Sequence, residues 1–305
     1  MLNKSETVKV QVPATTANCG PGFDALGIAC NIYNELELTL FRENKLEIEI
    51  SGEGTGYLPE NDKNLIWKVV KSVVEKTDAA YEGAQIKMHN NIPLSRGLGS
   101  SAAAIVAGIT AANCALGEPF DRQSVLEMAT ALEGHPDNVA PAIFGGMTVS
   151  LCEQNVVKTL SFLPKIDLKM IVAVPEFFLS TKKARKALPE FVSMSDAVFN
   201  VAHVSSLIAA MCTGNVDVLS HSFNDKLHQP YRADLIPGMY EVFDAAKAAG
   251  ALGTAISGAG PSLIAFAVHE EEQIGRAMVA AFSKYQVDSH YLILDIDNKG
   301  ARRIN

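Results

Sequence analysis

The stretch Pro93–Ala103, PLSRGLGSSAA, runs straight into Ala102–Leu116, AAAIVAGITAANCAL. This junction of a glycine turn with an apolar run restricts the fold more than any other feature. Gly97 and Gly99 allow a tight turn with no β-carbon in the way, so backbone N–H groups can face a bound anion. Ser100 and Ser101 are small polar residues suited to an N-cap. The run behind them lacks proline and charge and reads as a buried helix. A glycine turn feeding a helix start joins unsatisfied N–H groups to the positive end of the dipole, which suits phosphate.

On the residues alone three readings stay open. The stretch is a tight turn before a core helix, or a dinucleotide loop, or a nucleotide-phosphate loop outside the Walker type. Gly97, Gly99 and Ala102 satisfy G-x-G-x-x-G/A, but that signature needs a buried strand just before it. Here the lead-in AQIKMHNNIPLSR alternates and then ends in polar residues and Pro93. No Gly-Lys-Ser/Thr follows the glycines, as a Walker loop would require. Arg96 is the only cation in the loop, so neutralisation of a phosphate falls to the helix N-terminus and a metal ion.

Ahead of the loop, Val8–Ala14 alternates like a strand closed by Pro13. TTANCGPGFDALGIA follows, and Gly20, Pro21 and Gly22 force a turn between Asn18 and Asp24. Those two are either ordinary turn residues or an amide and a carboxylate presented to a small polar ligand, with Asp24 suited to an ammonium group. NELELTLF and KLEIEISGEG alternate cleanly and predict an antiparallel pair. Asn61–Lys76 has helical spacing with a polar entry, and AQIKMHNNI is the strand delivering the loop.

Beyond the central helix, an amphipathic helix ends at Glu133 just before Gly134. A negative charge is unfavourable at that end, so either solvent or a cation must answer it. His135 in HPDN is a capping or core histidine, or a ligand contact. Leu163–Asp167 is the expected linker, and LKMIVAVPEF opens a second sheet. Ser180–Glu190 begins with cap residues and carries four cations in a short helix. That helix is a solvated basic face, or it brings Arg185 to a carboxylate, for which its planar fork is suited. Helices are expected at Ser195–Met211 and Val216–Asn224, with Arg232 in QPYR a second candidate clamp. A helix ending at Gly250 precedes a strand, a glycine turn at Ser257–Ser262 and another strand. One more helix and the strand HYLILDI follow, and ARRIN reads as a tail.

The 305 residues suffice for two domains, and 48% hydrophobic residues supply ample core. Net charge is −8 without a basic run, which argues against nucleic acid. Five scattered cysteines with no C-x-x-C read as reduced intracellular thiols. The start lacks an apolar signal region and no long uncharged apolar run stands out, so the expectation is a cytoplasmic protein without a membrane.

PLSRGLGSSAA resembles the central motif of the GHMP kinases, the galactokinase, homoserine, mevalonate and phosphomevalonate kinase superfamily. VPATTANCGPGFDALGIA and GTAISGAGPSLIAF are similar to two further motifs of that superfamily, in an order and spacing that cover nearly the whole chain. The first stretch and EGHPDNVAPAIFGG (Glu133–Gly146) are most similar to its homoserine branch. The resemblance implies an α+β fold of two domains, residues 1–163 like ribosomal protein S5 domain 2 and residues 164–305 ferredoxin-like. It implies ATP as co-substrate on Pro93, Leu94, Ser95, Arg96, Gly97, Leu98, Gly99, Ser100, Ser101, Ala102 and Ala103, with Mg²⁺ on Ser101 and Glu133. It implies L-homoserine held by Asn18, Asp24, His135, Thr181, Arg185 and Arg232. Asn138 lies by the accepting hydroxyl and shares the catalytic role with Arg185. The resemblance leaves Asn61, Asp62 and Trp67 either near the adenine or, for Trp67, in the plain core, and it implies that the glycine turn at Ser257–Ser262 packs beside the phosphate loop and that the protein is a homodimer. No carboxylate or lysine stands out as general base, and Asn138 cannot take a proton. A mevalonate-type kinase would have no use for Asp24. A non-catalytic ligand-binding relative is the alternative from another class.

Overall fold

The computed structural model describes residues 4–154 and 156–305. The first unit contains β1 (Val8–Ala17), β2 (Leu26–Phe41), β3 (Leu46–Gly52), α1 (Leu65–Val74), β4 (Gly83–Asn90), α2 (Ser100–Ala115), α3 (Arg122–Glu133), α4 (Pro136–Phe144), β5 (Met147–Glu153) and β6 (Val156–Phe162). In β1 the side chains of Val8, Val10 and Val12 are fully buried while Lys9 and Gln11 face outward, the period-two pattern of a half-covered sheet. Pro13 does not close this strand, contrary to expectation. The pairing with β2 slips between Pro13 and Ala14 and then continues to Ala17, a bulge that accommodates a residue with no N–H to donate.

The first sheet runs in the order β11-β1-β2-β4-β3, with β5 on β2 and β6 on β5. The predicted pairing of NELELTLF with KLEIEISGEG is therefore wrong. β4 lies between them, antiparallel to β2 and parallel to β3. Alternation fixes which face of a strand is buried, but not its neighbour. Helix α2 is buried nearly all round, and Gly108 lets α1 approach so closely that a β-carbon there would sit 2.9 Å from Val69 Cγ1.

The second unit holds β7 (Lys169–Pro175), α5 (Thr181–Lys186), α6 (Met194–Thr213), α7 (Val216–Ser220), α8 (Gln229–Arg232), α9 (Met239–Ala248), β8 (Gly253–Ile256), β9 (Leu263–Ala267), α10 (Glu271–Ser283) and β10 (Ser289–Leu294). Its sheet, β10-β7-β9-β8, is antiparallel throughout and packs on α9 and α10 around Phe282, Ile256 and Val242. By length and composition α6 is apolar enough to cross a membrane, at mean hydropathy 1.3, with Asp196 its one charged residue. Asn200 on α6 donates to Asp225 and to the carbonyl of Pro21, tying the helix to the 18–24 turn.

ARRIN is not a tail. The chain crosses back through a bridge between Cys30 and Ile296, and β11 (Arg302–Arg303) pairs with β1 at the edge of the first sheet. No sequence pattern marks a two-residue strand. All five cysteines are free thiols.

Candidate active site

A cavity of about 490 Å³ opens between the two units. Its floor is the start of α2. Ser95, Gly97 and Gly99 all adopt left-handed backbone, with φ of +53°, +76° and +68°. Gly99, rather than either serine, is the N-cap; Ser100 and Ser101 are the first two helical residues, and no side chain caps the helix. The expectation of a serine cap fails for a reason that favours ligand binding, since the first amides of α2 keep no internal side-chain partner. A β-carbon on Gly99 would lie 1.9 Å from Thr15 Oγ1, and one on Gly97 would lie 2.1 Å from the carbonyl oxygen of Ser257. Ser257 Oγ donates to the Gly97 carbonyl at 2.7 Å, so the turn between β8 and β9 does pack on the loop.

Of the eleven loop residues, Leu94, Ser95, Arg96, Gly97, Gly99, Ser100 and Ser101 line the cavity. Pro93 does not, and Leu98, Ala102 and Ala103 turn fully buried side chains into the core. Arg96 is committed elsewhere. Its Nε donates to the Pro175 carbonyl at 2.7 Å, Nη1 to the Leu94 carbonyl at 3.2 Å, and its guanidinium lies 4.2 Å from the Phe178 ring. It clips the loop to the second unit.

Ser101 Oγ donates to Glu133 Oε2 at 3.1 Å. Gly134, at φ +95°, ends α3 there and turns the chain into His135. Burial pushes the Glu133 carboxyl above the usual range, against the opposing pull of the His135 imidazole and the Ser101 hydroxyl. An all-oxygen pair suits a hard divalent cation.

Asn18 sits at φ +70° and Asp24 at φ +56°, as a turn of this tightness demands. The amide of Asn18 is largely occupied internally: Oδ1 accepts from the Asp24 N–H at 2.9 Å and Nδ2 donates to the Gly258 carbonyl at 2.8 Å. Asp24 receives Arg185 through both oxygens, at 2.8 and 3.0 Å. Arg185 lies on α5, which Ser180 caps through the Lys183 N–H; Thr181 opens the helix and lines the cavity. Arg232 is 2% exposed and donates to the carbonyls of Gly258 at 3.2 Å and Ala184 at 3.4 Å.

His135 is hydrogen-bonded through Nδ1 to Asp137, a residue missed in the sequence. Burial alone would lower the imidazole, but the Asp137 hydrogen bond and the charges of Asp137 and Asp24 raise it overall. The Asn138 Oδ1 accepts from the Thr15 hydroxyl at 2.8 Å, and its Nδ2 donates to Asp137 at 3.3 Å. The ligand atoms of Asp24, His135 and Asp137 lie within 4.8 Å of one another. The signal for Asp137 was its place in the first turn of α4, one residue from Asn138. Thr15 carried none: it lies beyond Pro13, where the sequence reads as a polar turn, although β1 runs on to Ala17.

Leu58, Pro59, Leu65, Ile66 and Met88 add an apolar part to the lining, interrupted by Lys63, Asn64 and Asn90. Asn61, Asp62 and Trp67 do not line the cavity. Trp67 belongs to a separate hollow of about 380 Å³ with Lys71 and Tyr81.

A helix start with free amides beside the Ser101–Glu133 contact, with a charged pocket across the cleft of two α+β units, is an arrangement suited to a small-molecule kinase of the GHMP type. Residues 64–146 match the family "GHMP kinases N terminal domain" and residues 207–284 "GHMP kinases C terminal". The chain is 46% identical to homoserine kinase of Moorella thermoacetica over 96% of its own length and 98% of the relative's. It is 44% identical to homoserine kinase of Carboxydothermus hydrogenoformans, covering 96% of each. The crystal structure of homoserine kinase from Cytophaga hutchinsonii superposes with a TM-score of 0.90 at 32% identity, covering 98% of both chains. The chain belongs to the homoserine kinase family of the GHMP kinases.

Proposed function

We propose that this protein transfers the γ-phosphoryl group of ATP to the side-chain hydroxyl of L-homoserine, giving O-phospho-L-homoserine on the route to threonine. The observation that carries the reading is one continuous cavity holding both the α2 start and the Asp24, Arg185 and Arg232 charges. The first needs an anion, and the second needs a ligand with an ammonium and a carboxylate end.

Phosphoryl transfer depends on positioning and electrostatic stabilisation more than on covalent help. The free amides at the start of α2 cradle the phosphates, and the adenine occupies the apolar part beside Leu58 and Leu65. Ser101 and Glu133 would hold Mg²⁺, which when bound neutralises charge on the phosphates. Asp24 takes the substrate ammonium, Arg185 and Arg232 its carboxylate, and His135 and Thr181 flank it. Because Thr15 donates to Oδ1 of Asn138, the amide presents its N–H side, so Asn138 orients the accepting hydroxyl as a donor and does not accept its proton. The two units divide into domains 1–163 and 164–305, apart from the returning C-terminal residues. The protein acts as a cytoplasmic homodimer without nucleic acid or membrane.

The test is ADP release with homoserine, mevalonate and galactose as acceptors. Turnover on homoserine alone supports the reading. Preference for mevalonate or galactose, or nucleotide binding with no turnover on any of them, removes it.

A further inference from the structure

Behind the two arginines lies a ring pair that the reading so far does not use. Phe23, in the turn that carries Asp24, stacks on His228 at 5.1 Å between centroids and 23° between planes. The guanidinium carbons of Arg232 and Arg185 lie 5.4 and 5.7 Å from the same Phe23 centroid. The Phe23 ring thus sits close to two like charges, which an aromatic quadrupole attracts. Arg185 has Asp24 as its partner, whereas Arg232, almost wholly buried, makes no ion pair among the described residues. Burial and the neighbouring Arg185 both disfavour its charge. A guanidinium in that position is costly unless its N–H groups are directed and an anion completes it.

His228 directs it. The ring is fully buried; Nδ1 faces Arg232 Nη1 at 3.2 Å, and Nε2 faces the Gly20 carbonyl at 2.7 Å. A guanidinium is donor-only, so Nδ1 must be the acceptor. A carbonyl is acceptor-only, so Nε2 must carry the hydrogen. Both contacts are satisfied by one tautomer, the neutral Nε2–H form. The backbone holding the ring is fixed in turn by Asp225, whose oxygens accept from the N–H groups of Leu227, His228 and Gln229 and from Asn200.

We propose that His228 is a positioning residue for substrate selection. Its Nδ1 lone pair orients Arg232 toward the cavity, and the hydrogen bond from Nε2–H to the Gly20 carbonyl holds the ring in the tautomer that leaves Nδ1 free to accept. This rests on the reading that the pocket takes a zwitterionic acceptor. Asparagine at 228 places an amide oxygen near the Nδ1 position and so keeps the acceptor for Arg232. Glutamine reaches the Nε2 position and keeps only the tie to Gly20.

The experiment measures kcat, both KM values and melting temperature for His228→Asn, His228→Gln and Arg232→Lys. The expected result is a homoserine KM raised about tenfold in His228→Gln, one charged hydrogen bond being worth roughly that factor. The ATP KM should not move, and His228→Asn should stay within about threefold of the parent at a similar melting temperature. Equal losses in the two His228 variants, or a parental KM in His228→Gln, overturn the assignment. A parental homoserine KM in Arg232→Lys overturns the carboxylate reading itself, whatever His228 does. If neither His228 variant folds, ¹⁵N shifts of the His228 ring in the unaltered protein decide: protonated Nε2 with bare Nδ1 supports the proposal, and any other pattern overturns it.

Discussion

Arg185 on α5 and Asp24 in the 18–24 turn form a two-pronged ion pair, 2.8 and 3.0 Å long, that spans the cleft between the two units. Both groups are about one-third exposed at the side chain, so the pair itself adds little stability, in line with other solvent-screened bridges. Its significance is chemical, because a zwitterion can replace it with two new pairs. Arg185→Ala is expected to raise the homoserine KM by roughly 10–100-fold, a charged hydrogen bond being worth about 1.5–3 kcal/mol, with the ATP KM unchanged. Steady-state kinetics with each substrate varied in turn checks this, and unaltered homoserine kinetics removes Arg185 from the site.

The Ser101 and Glu133 contact makes a separate prediction. Glu133→Gln preserves shape and removes charge, so the Mg²⁺ concentration giving half-maximal rate should rise at least about tenfold. A magnesium titration at saturating ATP and homoserine measures it. An unchanged Mg²⁺ dependence would assign Glu133 to structure alone.

Gly97 and Gly56 share φ +76°, but only Gly97 has a neighbour, the Ser257 carbonyl oxygen at 2.1 Å from a built β-carbon. Gly56→Ala should cost about 1 kcal/mol from left-handed backbone alone. Gly97→Ala should cost at least about 1 kcal/mol more, since the loop must part from the β8–β9 turn. Urea unfolding of the two variants separates the terms.

Burial, then the Arg232 charge, hold His228 below the ordinary histidine range, with Asp225 and Asp24 opposing. The unfolded chain therefore binds more protons than the folded one as pH drops below about 6.5, and stability is lost in that direction. The melting temperature should fall between about pH 6.5 and 5 more steeply in the parent than in His228→Asn. Parallel curves would show that His228 takes up protons equally in the folded and unfolded chain, and would contradict a lowered value.

What could be read from the sequence was local. PLSRGLGSSAA announced an anion-ready helix start because glycine chemistry and helix ends are short-range, and the α5 cap at Ser180 was visible for the same reason. Arg185 was legible as a carboxylate fork, yet its partner was not, since 161 residues separate it from Asp24. The β2–β4–β3 order was missed because alternation is silent about neighbours. The Gly99 cap, the Arg96 clip to Pro175 and the Thr15 bond to Asn138 depend on what lies opposite in space, and no spacing in the chain encodes that.

Where the two substrates lie in the cleft is decided most directly by crystallography. A crystal structure with a non-hydrolysable ATP analogue, Mg²⁺ and L-homoserine should show the terminal phosphate against the amides of Ser100–Ala102, with the homoserine carboxylate on Arg185 and Arg232 and its hydroxyl facing that phosphate. A triphosphate bound away from the start of α2, or a homoserine whose carboxylate meets neither arginine, would contradict it.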